Sequence, residues 1–280
     1  SIDSTAFGGG VFGADGYGEP RLERSTGNPA TTWSLDTFGQ NLVACSTSDG
    51  KIYEWTLNTG TIAAQVTNAP VGNTGIMVTD ERFLFALGAA GNPRKVQWCD
   101  RENNTLWTPA ATNEAGSIEL QTVGRIQCGV KVQNQALILT TTDAHTATYS
   151  GPPYVYGIER VGTSCGIVSA QGVSVVDAGA FWMGKESFFM YSGGTVKELE
   201  SDVADYVYSD INVSQMAKVV AVSNAKFSEI RWFYPSDDNT ENNRYVSFNY
   251  QENTWTIGQL ARTAGVDAGV LSKLQKQLPV

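Results

Sequence analysis

A single histidine, four scattered cysteines and the lack of any long apolar run set the first limits on this 280-residue sequence. With His145 as the only imidazole, any Ser/His/Asp or Cys/His relay would have to use it. It follows Asp143 in what reads as an exposed hairpin turn, without a positioned nucleophile or orienting group. Cys45, Cys99, Cys128 and Cys165 show no CxxC spacing, which argues against zinc ligation and a disulfide framework. They read as reduced, mostly buried residues. No stretch approaches the roughly 18 apolar residues of a membrane-spanning helix. The opening SIDSTAFGGG has neither the basic nor the apolar part of a secretory signal. Helix-favouring runs of Lys, Glu and Leu are scarce, and the net charge of −9 argues against a basic surface that wraps nucleic acid.

What is present is glycine (29 residues), aromatics and many Thr, Ser, Asn and Val, a mixture that suits short strands joined by tight turns. Segments 51–62 (KIYEWTLNTGTI), 95–108 (KVQWCDRENNTLWT) and 245–256 (YVSFNYQENTWT) resemble one another: a strand with an aromatic, a polar turn with Asn, then a Thr opening another strand. Segments 145–158 and 187–199 hold the same place in weaker form. The marker aromatics Trp55, Trp98, Tyr149, Tyr191 and Phe248 are 43, 51, 42 and 57 residues apart. A period of roughly 40–50 residues belongs to propeller blades, and alternation with period two excludes helical solenoids.

The clearest unit has strands at 218–223, 229–235, 244–250 and 254–260, and a second has strands within 173–200. Further units fall at 31–66, 72–109 and 124–162. Asp49-Gly50 and Gly193-Gly194 mark hairpin turns that need positive φ. The fold class is therefore all-β, a β-propeller of four-stranded antiparallel blades, about five of them visible and six or more if the termini or a partner complete the ring. Residues 1–30 read as a Gly-rich arm, 31–265 as the propeller, and 266–280 as a tail in which Leu271, Leu274 and Leu278 suggest a short helix.

Candidate chemistry is thin. Gly8, Gly10 and Gly13 match G-x-G-x-x-G without the flanking strand and helix that a dinucleotide site needs. Asp237, Asp238, Asn239 and Glu241 form an acidic loop without the spacing of a calcium loop. SDGKIYEW (48–55) departs from the sialidase turn motif, and whether Arg94, Arg125, Arg160, Arg231 and Arg262 converge is a question for the fold rather than the sequence. Trp98, Trp107, Trp182, Trp232 and Trp255 are expected on strands, packing blades together rather than stacking sugars or bases. No catalytic, cofactor-binding or metal-binding residue is assigned.

The strings YGEPR (17–21), WSLDTFGQNLVACSTSDGKIYEW (33–55), WCDRENNTLWTPAATNEAGS (98–117), AFWMGKESFFMYSGG (180–194) and 230–264 resemble propeller-containing tail and head–tail connector proteins of bacteriophages. They are similar in kind to packaged-DNA stabilisation proteins. The resemblance implies a non-enzymatic virion component: a ring of identical subunits around the DNA channel, in tail or neck, bound to portal, adaptor and other tail proteins. It implies no cofactor, no membrane partner and no more than proximity to packaged DNA. Assembly would take place in the host cytoplasm. A carbohydrate- or receptor-binding propeller at the tail tip, and a glycosidase or lyase, are the competing expectations.

Overall fold

The computed structural model describes residues 31–265, which form five four-stranded antiparallel sheets, each with its strands in sequence order. Blade 1 holds β1 (Trp33–Phe38), β2 (Asn41–Ser46), β3 (Ile52–Trp55) and β4 (Ala64–Gln65). Blade 2 holds β5 (Gly75–Val78), β6 (Leu84–Leu87), β7 (Lys95–Trp98) and β8 (Gly116–Glu119). Blade 3 holds β9 (Ile126–Val132), β10 (Gln135–Thr140), β11 (Ala144–Gly151) and β12 (Val155–Gly162). Blade 4 holds β13 (Val173–Val176), β14 (Gly179–Met183), β15 (Phe188–Ser192) and β16 (Thr195–Leu199). A short helix α1 (Ala204–Asp210) precedes blade 5, which holds β17 (Val220–Asn224), β18 (Glu229–Tyr234), β19 (Arg244–Asn249) and β20 (Thr254–Gln259).

Successive first strands lie side by side, β1 by β5, β5 by β9, β9 by β13 and β13 by β17, the arrangement of a β-propeller. The second strand of a blade is covered on both faces, so it reads as an apolar run rather than an alternation: β6 (LFAL) and β14 (GAFWM) are buried throughout. Fourth strands lie outermost and are largely exposed.

Each junction between successive blades holds its own buried cluster. Val43, Cys45 and Ile52 of blade 1 meet Ile76, Val78, Leu84 and Trp107. Phe83, Phe85 and Trp98 of blade 2 meet Ile138 and Tyr156, whose ring lies edge-on to all three. Leu137 and Leu139 of blade 3 meet Trp182 and Tyr191, and Phe181 and Phe188 of blade 4 meet Trp232 and Val246. Among the described residues, no buried cluster joins blade 5 to blade 1.

The expected turns form. Gly50 (φ 61°) joins β2 to β3, and Gly193 and Gly194 (φ 59° and 84°) join β15 to β16. Two expectations are corrected. Trp107 is not on a strand: it lies in the loop between β7 and β8, buried against blade 1, with its indole N–H donating to the Asn104 carbonyl oxygen. Blade 2 accordingly ends at Glu119, not near residue 109. The expected arm, the Gly8/Gly10/Gly13 motif and the C-terminal leucines lie outside the described residues.

Candidate functional site

Thr140 ends β10 and folds the chain back on itself. Its hydroxyl oxygen accepts from the Asp143 and Thr142 amides at 2.8 and 3.1 Å, while the Thr140 amide donates to the Asp143 carbonyl oxygen at 2.9 Å. This Thr-based turn, of the kind Ser and Thr hydroxyls close, sets the Asp143 side chain at one rim of the propeller. Asp143 is buried, and the Thr122 hydroxyl donates to its Oδ2 at 2.6 Å. The same Thr122 oxygen accepts from the Gly124 amide at 3.0 Å, which fixes the hydroxyl that holds the carboxylate.

The chain after β12 runs tightly against this turn. Cys165 and Ile167 amides donate to the Thr142 and Thr140 carbonyl oxygens, and a Cβ at Gly166 would come within 2.0 Å of the Thr141 carbonyl oxygen. Ser164 has φ 56°, a strained value for a residue with a side chain, and such strain gathers at functional sites.

These segments line a cleft of about 910 Å³ that spans blades 2, 3 and 4. Asp143 forms part of its wall together with Arg94, Arg160, Lys185, Glu186 and Glu198. Arg94 is committed: it pairs with Glu119 at 2.5 Å and donates to the Thr122 carbonyl oxygen. Glu198 accepts from the Ser187 hydroxyl. Arg160 and Lys185 have neither an ion pair nor a side-chain hydrogen bond among the described residues. Asp143 is the one cleft carboxylate that is buried.

His145 is corrected from an exposed turn residue to a buried one. It lies within β11, 3 % exposed and paired across the sheet with Ile138 and Arg160, and its Nδ1 has no hydrogen-bond partner. Burial lowers its pKa from 6.5; Arg160 acts in the same direction and Asp143 opposes them. It is not among the cleft-lining residues.

Of the five arginines, Arg94 and Arg160 meet at the cleft while Arg125, Arg231 and Arg262 do not line it. The acidic loop is held by Asn212, whose amide donates to the Asp237 and Asn239 carbonyl oxygens, and by a Lys218–Glu241 ion pair. Among the described residues no group of three or more His, Cys, Asp or Glu could hold a metal. Trp98, Trp107, Trp182 and Trp232 are buried between blades and Trp255 is partly so, which leaves no stacking platform of these five. All four cysteines are free, and burial pushes the Cys45 and Cys99 thiols up to about 12. The cleft was missed in the sequence because its residues are spread from Arg94 to Glu198. The local signal was the run Thr140-Thr141-Thr142-Asp143, a Thr turn ending in a carboxylate.

No protein-family model matches the chain, and no curated protein matches it in sequence. Solved structures do share its fold. Virginiamycin B lyase from Staphylococcus aureus is 10 % identical over 83 % of this chain and 73 % of its own, with a TM-score of 0.55. Its catalytically inactive His→Ala variant with quinupristin gives 7 %, 85 %, 73 % and 0.54. A Bacteroides uniformis protein assigned as a 6-phosphogluconolactonase gives 11 %, 84 %, 71 % and 0.55.

The chain has the β-propeller fold. The expected kinship with bacteriophage connector proteins is overturned: the similar propellers named above are a lyase and a protein assigned as a lactonase, not virion proteins. The expectation of a non-enzymatic tail component falls with it, and so does its role around a DNA channel.

Proposed function

We propose that this chain is an enzyme of the propeller class that takes a small polar molecule into the rim cleft, with Asp143 as its proton acceptor. The observation that carries the reading is the buried Asp143 carboxylate, pinned by the Thr122 hydroxyl at 2.6 Å on the wall of a cleft of about 910 Å³. A carboxylate fixed in this way can take a proton from a bound hydroxyl, carbon acid or water without reorganising first. Arg160 and Lys185, unpaired among the described residues, supply positive charge for an oxygen that becomes negative as the proton leaves. The volume suits a ligand of drug-like or sugar-like size.

Elimination and ester ring-opening, the reactions that the words lyase and lactonase name, both fit a base facing cations. The reading rests on the cleft and takes from those two proteins only the choice of compounds to try. A panel of lactones, cyclic esters and sugar acids should contain members that raise the melting temperature and are turned over. Asp143→Asn should lower turnover about 10²–10⁴-fold and leave binding within a few-fold, whereas Arg160→Ala and Lys185→Ala should weaken both. Turnover by Asp143→Asn at the wild-type rate, or a panel without a binder, would remove Asp143 from this role.

A further inference from the structure

The two faces of blade 1 differ. Ser34 and Asp36 point to blade 2, where they accept from the Ile76 and Val78 amides at 2.9 and 2.8 Å, and Val43, Cys45 and Ile52 fill the cluster there. The opposite face follows from the strand register. One row runs Leu35, Ala44, Tyr53, Gln65; the next is Thr37, Leu42, Trp55; the third is Trp33, Ser46. These rows hold no charged side chain, and at their edge the exposed Asp49 accepts from the Tyr53 hydroxyl at 2.7 Å. Trp33 is 50 % and Leu35 61 % exposed, and both also border a cavity of about 150 Å³ formed with β5 and β9. The hairpin loop after β3 adds exposed Leu57 and Ile62, and the Trp55 indole holds that loop by donating to the Asn58 and Thr61 carbonyl oxygens.

Other blades do not leave such a face to water. Blades 2, 3 and 4 each have a buried cluster on both sides. On blade 5, Val220, Phe233 and Ser247 of the outward face are buried, and the chain beyond β20 returns so that Gly265 lies against Val222. A contiguous apolar patch of this kind marks an interaction surface.

We propose that the outward face of blade 1 pairs with the same face of a second copy, giving a weak two-fold dimer. Charge favours this occupant. Two copies at −9 each repel over most of their surfaces, whereas the outward rows of blade 1 themselves carry no charge and Asp49, bound by the Tyr53 hydroxyl, lies at their edge. Every junction inside the chain packs one sheet face on another, so a like sheet is the shape this face fits, and a two-fold pairing closes without leading to filaments. Size sets the strength. Strands about 4.8 Å apart and about 20 Å long give roughly 400 Å² per copy, so with the loop the pair buries on the order of 1,000 Å². That is the lower limit for a specific contact, and it fits self-association in the range of about 10–100 µM.

Sedimentation velocity of the full chain from about 5 to 500 µM tests this. The mass should rise from one chain to two. Leu35→Asp should raise the midpoint at least ~10-fold, and Thr37→Arg, at an exposed position that disturbs no core, should do the same. Val213→Asp, at an exposed site after α1, should leave the midpoint unchanged. A single-chain mass throughout, species larger than two, or association that survives both blade 1 variants overturns the proposal. Stronger association after removal of residues 1–31 would assign the face to that segment and overturn it as well.

Discussion

His145 shows how much hangs on one residue's place in a hairpin. The turn closes at Asp143 and β11 begins at Ala144, so His145 is a strand residue, buried where blade 3 meets blade 2. Placing the turn two residues later makes His145 part of the connecting loop, where side chains are ordinarily exposed. Its buried Nδ1 has no partner, and burial is the main cause of its lowered pKa. The unfolded chain therefore binds a proton more readily than the folded one. The stability that neutral His145 allows is present above about pH 6.5 and is lost as the pH falls through that value towards the folded pKa. Melting temperatures between about pH 8 and pH 5 should fall faster for the wild type than for His145→Gln, with the two curves parting below about pH 6.5. Parallel curves would mean that His145 is not the group whose protonation loosens the fold. The same logic gives the thiols of Cys45 and Cys99, pushed up to about 12, little thiolate at pH 8.

At the scale of the element, two glycine turns with similar backbones separate strain from crowding. Gly50 and Gly193 have φ 61° and 59°, but a Cβ at Gly50 would lie 2.6 Å from the Asn73 amide nitrogen and the Gly72 Cα, while at Gly193 it meets open space. Gly193→Ala should cost only the left-handed backbone, about 1–2 kcal/mol. Gly50→Ala should cost distinctly more. It pushes the β2–β3 turn off the Asn73 backbone and side-chain amides, which both donate to the Gly50 carbonyl oxygen at 3.0 and 2.8 Å. Equal losses in denaturant melts would show that this contact between blades is soft. Both turns were legible in sequence because Asp-Gly and Gly-Gly supply the needed positive φ. All four strands of blade 5 fall within two residues of their expected bounds for a similar reason: apolar strands there are cut by polar loops. Blade 2 was misread at its end, since Trp107 beneath a loop looks the same in composition as Trp255 on β20. Helix α1 went unread, although Val203, Val207 and Ile211 recur every fourth residue. The cleft could not be read at all as a constellation, because Thr122, Asp143, Arg160 and Lys185 meet only when three blades are stacked.

Across the whole molecule, stability is shared between nearest neighbours, much as in a linear array of repeats. Blade 3 is held on both sides, by Phe85, Trp98 and Tyr156 towards blade 2 and by Leu137, Leu139 and Trp182 towards blade 4. Among the described residues, blade 1 has one such side. Its buried cluster and its hydrogen bonds to other blades run to blade 2, with a Lys131–Asp36 ion pair of 3.7 Å reaching blade 3. That ion pair is partly exposed and adds little. The cost of opening blade 1 is therefore close to the cost of one interface, whereas opening blade 3 breaks two. Native-state hydrogen exchange should show β2 and β3 exchanging through a partial opening of lower free energy than β10 and β11, whose protection should approach that of global unfolding. Ile52→Ala, which empties part of the single blade 1–blade 2 cluster, should lower the protection of blade 1 by about 2–4 kcal/mol and leave blade 3 nearly unchanged. The experiment also bears on the outward face of blade 1, because a second copy seated there supplies the missing interface. Protection of β2 and β3 should then rise with protein concentration while that of β10 and β11 stays level. Uniform exchange in all five blades at every concentration would mean that the sheets unfold as one unit, and that this face contributes nothing to holding them.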